Sequence, residues 1–360
     1  MWPYWLLFLL PAIQALNSGE HLKKNFNDEH WSLIWKIILV LLAVMIGFRH
    51  QVGGDWFTYL ENMEANLDLT FFEALNGAHG DPSDNLLNWI AAKSELGIYL
   101  VNLIYGTIFS FGLLTFCRNQ PRSWLALTVA VPYLITVVAM GYSRQGVAIG
   151  LVMFGLVALE NKKLLKFIVL IAFASTFHKS AVILMPLALL TDLKSRLMTL
   201  IGIIVTTIIL FILLLQEYID SIVKNYIFSE YESSGAMIRI SMNALPACLF
   251  LLMRSRFNLS SNQKSFWSWM SCGGLLFVLL LYLSPSSTAV DRVALYWIPL
   301  QLFVWSRIPD AIGYPGRLNS IWVYAVISYS AVIHFTWLYF AQTSFAWLPY
   351  QFYPWVWLWK

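Results

Sequence analysis

Charge is scarce in this sequence. Asp, Glu, Lys and Arg make up 12% of 360 residues, about half of the ~25% that a soluble domain carries. That shortage excludes an ordinary water-facing surface. Cysteine is scarce too. Cys117, Cys248 and Cys272 all fall in or at the ends of apolar runs, which reads as small buried hydrophobes and excludes a disulfide framework. No Cys/His metal spacing is present. There is no GxxxxGK[ST] loop, no Asp-x-Asp and no HExxH, so the sequence offers no site for soluble nucleotide chemistry, no cofactor signature and no metal ligand set. Whatever is processed arrives already activated. The net charge of +4 is spread over many loops; it points to membrane topology and not to nucleic acid. The N-terminal run MWPYWLLFLLPAIQAL lacks a basic leading region, so it reads as a first transmembrane helix, with a cleaved signal as the alternative.

What fills the chain is apolar: 59% hydrophobic residues and a mean hydropathy of +0.66. A ~30 Å hydrocarbon core needs about 20 apolar residues per helix. Runs near that length recur, without the alternating ~10-residue segments of a barrel. The expected fold is all-α, a polytopic membrane domain covering residues 1–360. It has about twelve spans, near 2–16, 31–48, 97–117, 123–141, 146–160, 165–177, 179–190, 197–215, 241–253, 266–283, 290–306 and 319–340. The pair flanking His178 could instead be half-helices or re-entrant. Two segments between spans are long. Residues 49–96 hold amphipathic runs at Trp56–Glu64 and Asp84–Glu95, split by Gly77, Gly80 and Pro82. Residues 216–240 are aromatic and acidic.

About two thirds of the lysines and arginines fall in alternate loops, which makes those loops cytoplasmic. The opposite face carries mostly solitary cations in polar clusters: GFRHQVGGDW, GYSRQGVA, STFHKSAV, MIRISMN and STAVDRVALYW. An isolated arginine at a membrane rim often snorkels to lipid phosphate. Arg49, Arg144, Arg239 and Arg292 sharing one face against the inside rule point instead to a common anion. Guanidinium forks suit phosphate bidentately, so a lipid diphosphate is the expected ligand.

A hydroxyl attacking such a donor needs a base. The candidates are Asp55, His178 and Glu95, with Asp291 more simply a counter-ion for its neighbour Arg292. Asp55 follows Gly53-Gly54, which lets the chain turn and present the carboxylate; the bland alternative is a helix cap. His178 titrates near neutrality when unperturbed, or else is a hydrogen-bonded structural residue. Lys179 adds charge beside it. Asn102, Gln145 and Asn243 read as interhelical hydrogen-bond residues. His334 reads as an interior histidine. The Trp- and Tyr-rich C-terminal run FAWLPYQFYPWVWLWK reads as an interfacial belt.

At these residues the sequence resembles the EpsG/Wzy-like polysaccharide polymerases of bacterial envelopes. The likeness rests on Arg49, Val52, Gly53, Asp55, Trp56 and Tyr59 in FRHQVGGDWFTYL; on Arg144, Gln145 and Ala148; on His178, Ser180, Ala181 and Pro186; on Arg292 and Tyr296; and on Glu95 with Gly97. Gly54 departs from the family pattern, where threonine is more usual. The resemblance implies a GT-C-type glycosyltransferase of the bacterial inner membrane with its site facing the periplasm. It takes a growing glycan from undecaprenyl diphosphate and joins it to the sugar of a second lipid-linked repeat unit, making O-antigen, capsule or exopolysaccharide. The implied partners are those lipid-linked glycans, membrane lipids and a chain-length regulator. A flippase, or a ligase- or acyltransferase-type membrane transferase, is the alternative.

Overall fold

The computed structural model describes residues 1–17, 31–75, 81–190, 201, 205, 235–284, 286–314 and 317–358. The expected span at 197–215 (apart from positions 201 and 205) and the segment 216–234 lie outside the described residues.

The regular structure of the described residues is all helical, with one isolated bridge, Arg49 to Phe352, and no strand among them. In chain order they form α1 (Trp2–Asn17), α2 (Leu33–Gly47), α3 (Trp56–Glu64), α4 (Phe71–Leu75), α5 (Pro82–Ala92), α6 (Ile98–Arg118) and α7 (Ser123–Ala130). The last runs on as a π-helix, Val131–Ala139. Then come α8 (Ser143–Glu160), α9 (Leu164–Phe177), a 3-10 helix (Lys179–Leu190), α10 (Ala236–Met253) and α11 (Ser261–Leu283). The chain closes with α12 (Ser287–Ala294), α13 (Ile298–Trp305), α14 (Ile308–Ile312), α15 (Ser320–Phe340) and α16 (Tyr353–Leu358).

Five of these, α6, α8, α10, α11 and α15, are long and apolar enough to cross a membrane. Helices α2, α7 with its π extension, α9 and the 3-10 helix are apolar but shorter. Large apolar side chains stand exposed along the outer helices, Leu252 at 83% and Ile321 at 74%. An outward-facing apolar surface of that extent is what lipid, not water, covers. The architecture is that of an α-helical membrane protein.

Helix α8 is the centre, buried on nearly every side between α6 and α9. It comes unusually close to α6: a Cβ on Gly112 would collide with the Gly150 carbonyl. Small residues let two backbones approach where no hydrophobic effect drives helices together. Pro132 sits at the start of the π-helix. With no N–H to donate, it breaks the regular ladder there; further along the same π-helix the Thr136 carbonyl accepts from Trp347 Nε1 at 2.9 Å.

Of the two amphipathic runs expected after α2, α3 spans Trp56–Glu64, whereas the run expected at Asp84–Glu95 is α5, Pro82–Ala92, with Pro82 opening the helix instead of separating the runs; Gly77 and Gly80 lie outside the described residues. The segments flanking His178 are two elements, since His178 is extended (φ −153°, ψ 107°) between α9 and the 3-10 helix. Asn243 links helices as expected, donating to the Ala294 carbonyl at 2.8 Å and accepting from Gln301 at 2.7 Å. His334 is fully buried and stacks on Phe8.

Two readings need correction. Only Cys117 is buried; Cys248 and Cys272 are exposed, because α10 and α11 each turn one face outward. The C-terminal aromatics are also not all belt. Trp355 and Trp357 are exposed, but Trp347 is buried, its carbonyl accepting from Tyr4 at 2.7 Å. Around it the tail folds back on the loop after α2: Gly53 N–H donates to Ala346, His50 N–H to Gln351 and Tyr353 N–H to Phe48.

Candidate active site

The ends of several helices meet at one end of the bundle. Hydrogen bonds and ion pairs join the end of α2 to the starts of α6 and α8, the end of α9 to the start of α5 and to the residues after α12, and α10 to α12.

The loop after α2 is built around Arg49, whose side chain is fully buried. Nη2 donates to Asn102 Oδ1 at 2.8 Å and to Ser143 Oγ at 2.6 Å. Nε donates to the Val52 carbonyl at 3.2 Å, and Nη1 to the Ile46 carbonyl. A guanidinium has five N–H groups, and contacts inside the protein take four of them. Arg49 therefore joins three helices from within and presents no open fork, contrary to the expectation that it faces the ligand.

This staple fixes the turn that follows. Gly53 has φ +109°, and a Cβ there would strike the Met140 carbonyl, so glycine is required. Gly54 is not constrained in this way; a Cβ would meet only the Trp347 ring at 3.6 Å, an ordinary contact. The departure from threonine at this slot thus leaves the turn intact. Asp55 follows at the start of α3. Its side chain makes no capping bond and instead lies 3.5 Å from the Tyr59 hydroxyl. Burial raises its pKa, while Arg292 and Arg144 pull it back down.

Arg144, in the first turn of α8, packs over the Tyr59 ring. It sits 3.7 Å from Asp81 and 3.6 Å from Asp84, with 29% of its side chain exposed. Those separations exceed the ~2.8 Å of a charge-assisted hydrogen bond, so the guanidinium is attracted without being locked. Asp84 also accepts from Tyr105, and Asp81 from the Lys179 N–H at 3.3 Å. Burial pushes Asp81 up to about 6 against the opposing pull of Arg144 and Lys179. Asp84 is raised by burial as well.

His178 Nδ1 is 2.6 Å from Ser180 Oγ, and the buried Tyr296 hydroxyl is 3.2 Å from both. One ring nitrogen is thus occupied by hydroxyls and its orientation is set. Tyr59 links Asp55 to Arg144, Asp81 links Arg144 to the Lys179 backbone beside His178, and Gln145, next to Arg144, holds the Arg292 backbone, so the four groups share one neighbourhood.

Arg292 is exposed. Its backbone carbonyl accepts from Gln145 Nε2 at 2.6 Å, but its guanidinium forms no ion pair among the described residues. Asp291 is not its counter-ion. That carboxylate pairs with Arg239, whose Nε reaches both oxygens at 2.9 and 3.0 Å and whose Nη2 reaches Oδ2 at 2.7 Å. Arg239, expected to grip the ligand, is held by Asp291. Glu95 lies on the exposed turn before α6, with no hydrogen bond or ion pair to the cluster among the described residues.

The site therefore gathers Asp55, Arg144, His178 and Arg292, with Tyr59, Gln145 and Tyr296 supporting. It sets Arg49 and the Arg239–Asp291 pair to framework duty and leaves Glu95 outside. Asp81 and Asp84 were missed by sequence reasoning. Their signal was there: two acids three apart at a helix start share one face, in a chain with only 19 acidic residues. Among the described residues no group of three or more His, Cys, Asp or Glu is arranged to hold a metal ion. Chemically, the arrangement offers two arginines for an anion beside a carboxylate and an oriented imidazole.

No curated protein and no solved structure matches the chain. The model of the EpsG family matches residues 32–352. The chain belongs to the EpsG family.

Proposed function

We propose that this EpsG-family chain is a membrane glycosyltransferase that polymerises lipid-diphosphate-linked oligosaccharide repeat units into a polysaccharide. The observation that carries the reading is the exposed Arg292, without an ion pair among the described residues, on a backbone held by Gln145 beside Arg144, which in turn is linked through Tyr59 to Asp55 and through Asp81 to the residue after His178. Fixed guanidinium groups there favour an anion and stabilise charge developing on a leaving diphosphate.

The acceptor sugar hydroxyl attacks the anomeric carbon of the donor glycan. The bond from that carbon to the diphosphate oxygen breaks, and its electron pair stays on the diphosphate, held by Arg144 and Arg292. The hydroxyl proton passes to Asp55. Raised proton affinity suits Asp55 to this role, since a base works best with a pKa nearer the working pH. His178 is the second base candidate; with Nδ1 committed to Ser180 and Tyr296, Nε2 is the atom that meets substrate. Arg49 holds the Asp55 loop, and Arg239 with Asp291 holds the helix bearing Arg292.

The finer architecture belongs to the same reading. The shorter apolar helices complete a bundle of about twelve spans of the GT-C type. The site end, poor in loop lysines and arginines, faces the periplasm across a bacterial inner membrane. Undecaprenyl diphosphate is the carrier of donor and acceptor.

The test is chain extension by purified protein supplied with undecaprenyl-diphosphate-linked repeat units. A ladder of products from the wild type, absent with Asp55→Asn, supports the reading. Single repeat units left unchanged by active wild-type preparations contradict it.

A further inference from the structure

A pocket with cations and hydroxyls in a partly apolar wall lies far from Arg144. Helix α10 begins beside Arg239 at the site end and runs 18 residues, about 27 Å at 1.5 Å per residue, so Arg254 sits at the opposite end. There Arg254 and Ser255 face Lys264, Ser265, Ser268 and Trp269 from the first turns of α11, around a cavity of 590 Å³.

Two cations line this cavity and no carboxylate does. Neither Arg254 nor Lys264 forms an ion pair among the described residues. Three serine hydroxyls share the wall. Ser268 Oγ already donates to the Lys264 carbonyl at 2.6 Å, so its oxygen remains as an acceptor for a ligand hydroxyl. One side is apolar and open: Trp269 is 60% exposed, with Leu252 and Leu276 exposed on the same two helices. A tryptophan between a basic pocket and a greasy helix surface marks the level where headgroups sit.

We propose that this pocket binds the headgroup of an anionic phospholipid, its phosphodiester between Arg254 and Lys264. The glycerol hydroxyls meet Ser255, Ser265 and Ser268, and the acyl chains run along Trp269 and the outer faces of α10 and α11. Continuity with that exposed apolar surface selects a lipid over a soluble phosphate, which would leave the Trp269 side unused. The site is separate from the diphosphate site and stands whether or not that reading holds.

The experiment is native mass spectrometry of the protein released from nanodiscs of phosphatidylcholine with graded phosphatidylglycerol, comparing wild type, R254Q/K264Q and R256Q. The wild type retains phosphatidylglycerol in preference to phosphatidylcholine. R254Q/K264Q lowers that retention about thirtyfold, in line with two cations lost from an anionic contact, and R256Q leaves it unchanged. Equal retention of both lipids by the wild type overturns the proposal. So does undiminished retention by R254Q/K264Q, or an equal loss with R256Q, which would mean diffuse surface charge. Added inorganic phosphate that displaces the lipid completely would assign the pocket to free anions instead. Thermal unfolding in pure phosphatidylcholine discs checks the fold of the double variant; should it be compromised, K264Q alone provides the same comparison.

Discussion

Arg239 and Asp291 form a bidentate pair across 52 residues, Nη2 to Oδ2 at 2.7 Å, although Arg292 is the carboxylate's neighbour in sequence. Successive helical side chains point about 100° apart, so the adjacent arginine faces elsewhere. The pair, 19% and 10% exposed, is sheltered enough to be worth more than a surface ion pair. A double-mutant cycle with Arg239→Gln and Asp291→Asn should return a coupling of about 1–3 kcal/mol in thermal unfolding. The single variants should lose activity through displacement of Arg292, and no coupling would dissolve the framework role.

Arg49 should behave as part of the scaffold. Its loss leaves Asn102 Oδ1, Ser143 and two carbonyls without their donor, at ~1–3 kcal/mol for each buried unsatisfied group. Arg49→Gln should lower the unfolding temperature sharply, and Arg49→Lys should not restore it, because a point ammonium cannot reach four acceptors. Arg292→Gln, at an exposed position, should leave unfolding nearly unchanged.

Asp55 must be deprotonated to take a proton. Its raised pKa moves the acid limb of the rate profile upward from where an ordinary aspartate would set it. The kcat/KM of the wild type should rise with pH through that limb, and Asp55→Asn should be slow and lack it. An unchanged limb in the variant would remove Asp55 from the role of base.

Asp81 makes a stability prediction of opposite sign to a usual salt-bridged carboxylate. Its folded pKa of about 6 lies above the ordinary 3.8, so the folded protein holds that proton more tightly than the unfolded chain. The resulting stabilisation is complete below about 3.8 and is lost as pH rises through about 6. Unfolding temperatures should therefore fall between about pH 4 and 6, and Asp81→Asn should flatten that slope.

Much of the fold was readable because lipid imposes long apolar runs. The outlines of α1, α2, α6, α8, α9 and α15 follow from hydropathy alone. The turn at Gly53 was readable for a similar reason: two adjacent glycines before a carboxylate have few structural uses. What the sequence hid was partnership. Asp81 and Asp84 lie in a stretch that reads as a helix start, and only folding brings Arg144 to them from 60 residues away. Arg49 looked like a ligand-binding arginine because nothing local shows that Asn102 and Ser143 take its fork. Trp347 looked like its exposed neighbours because one buried indole among many carries no periodic signature.

The central claim is that Arg144 and Arg292 grip the diphosphate. Binding of undecaprenyl diphosphate to purified protein, measured by microscale thermophoresis for wild type, Arg144→Gln and Arg292→Gln, tests it most directly. Each variant, still folded, should bind about 10–100-fold more weakly, as expected for losing a charge-assisted contact of ~1.5–3 kcal/mol. Wild-type affinity in both would contradict the account.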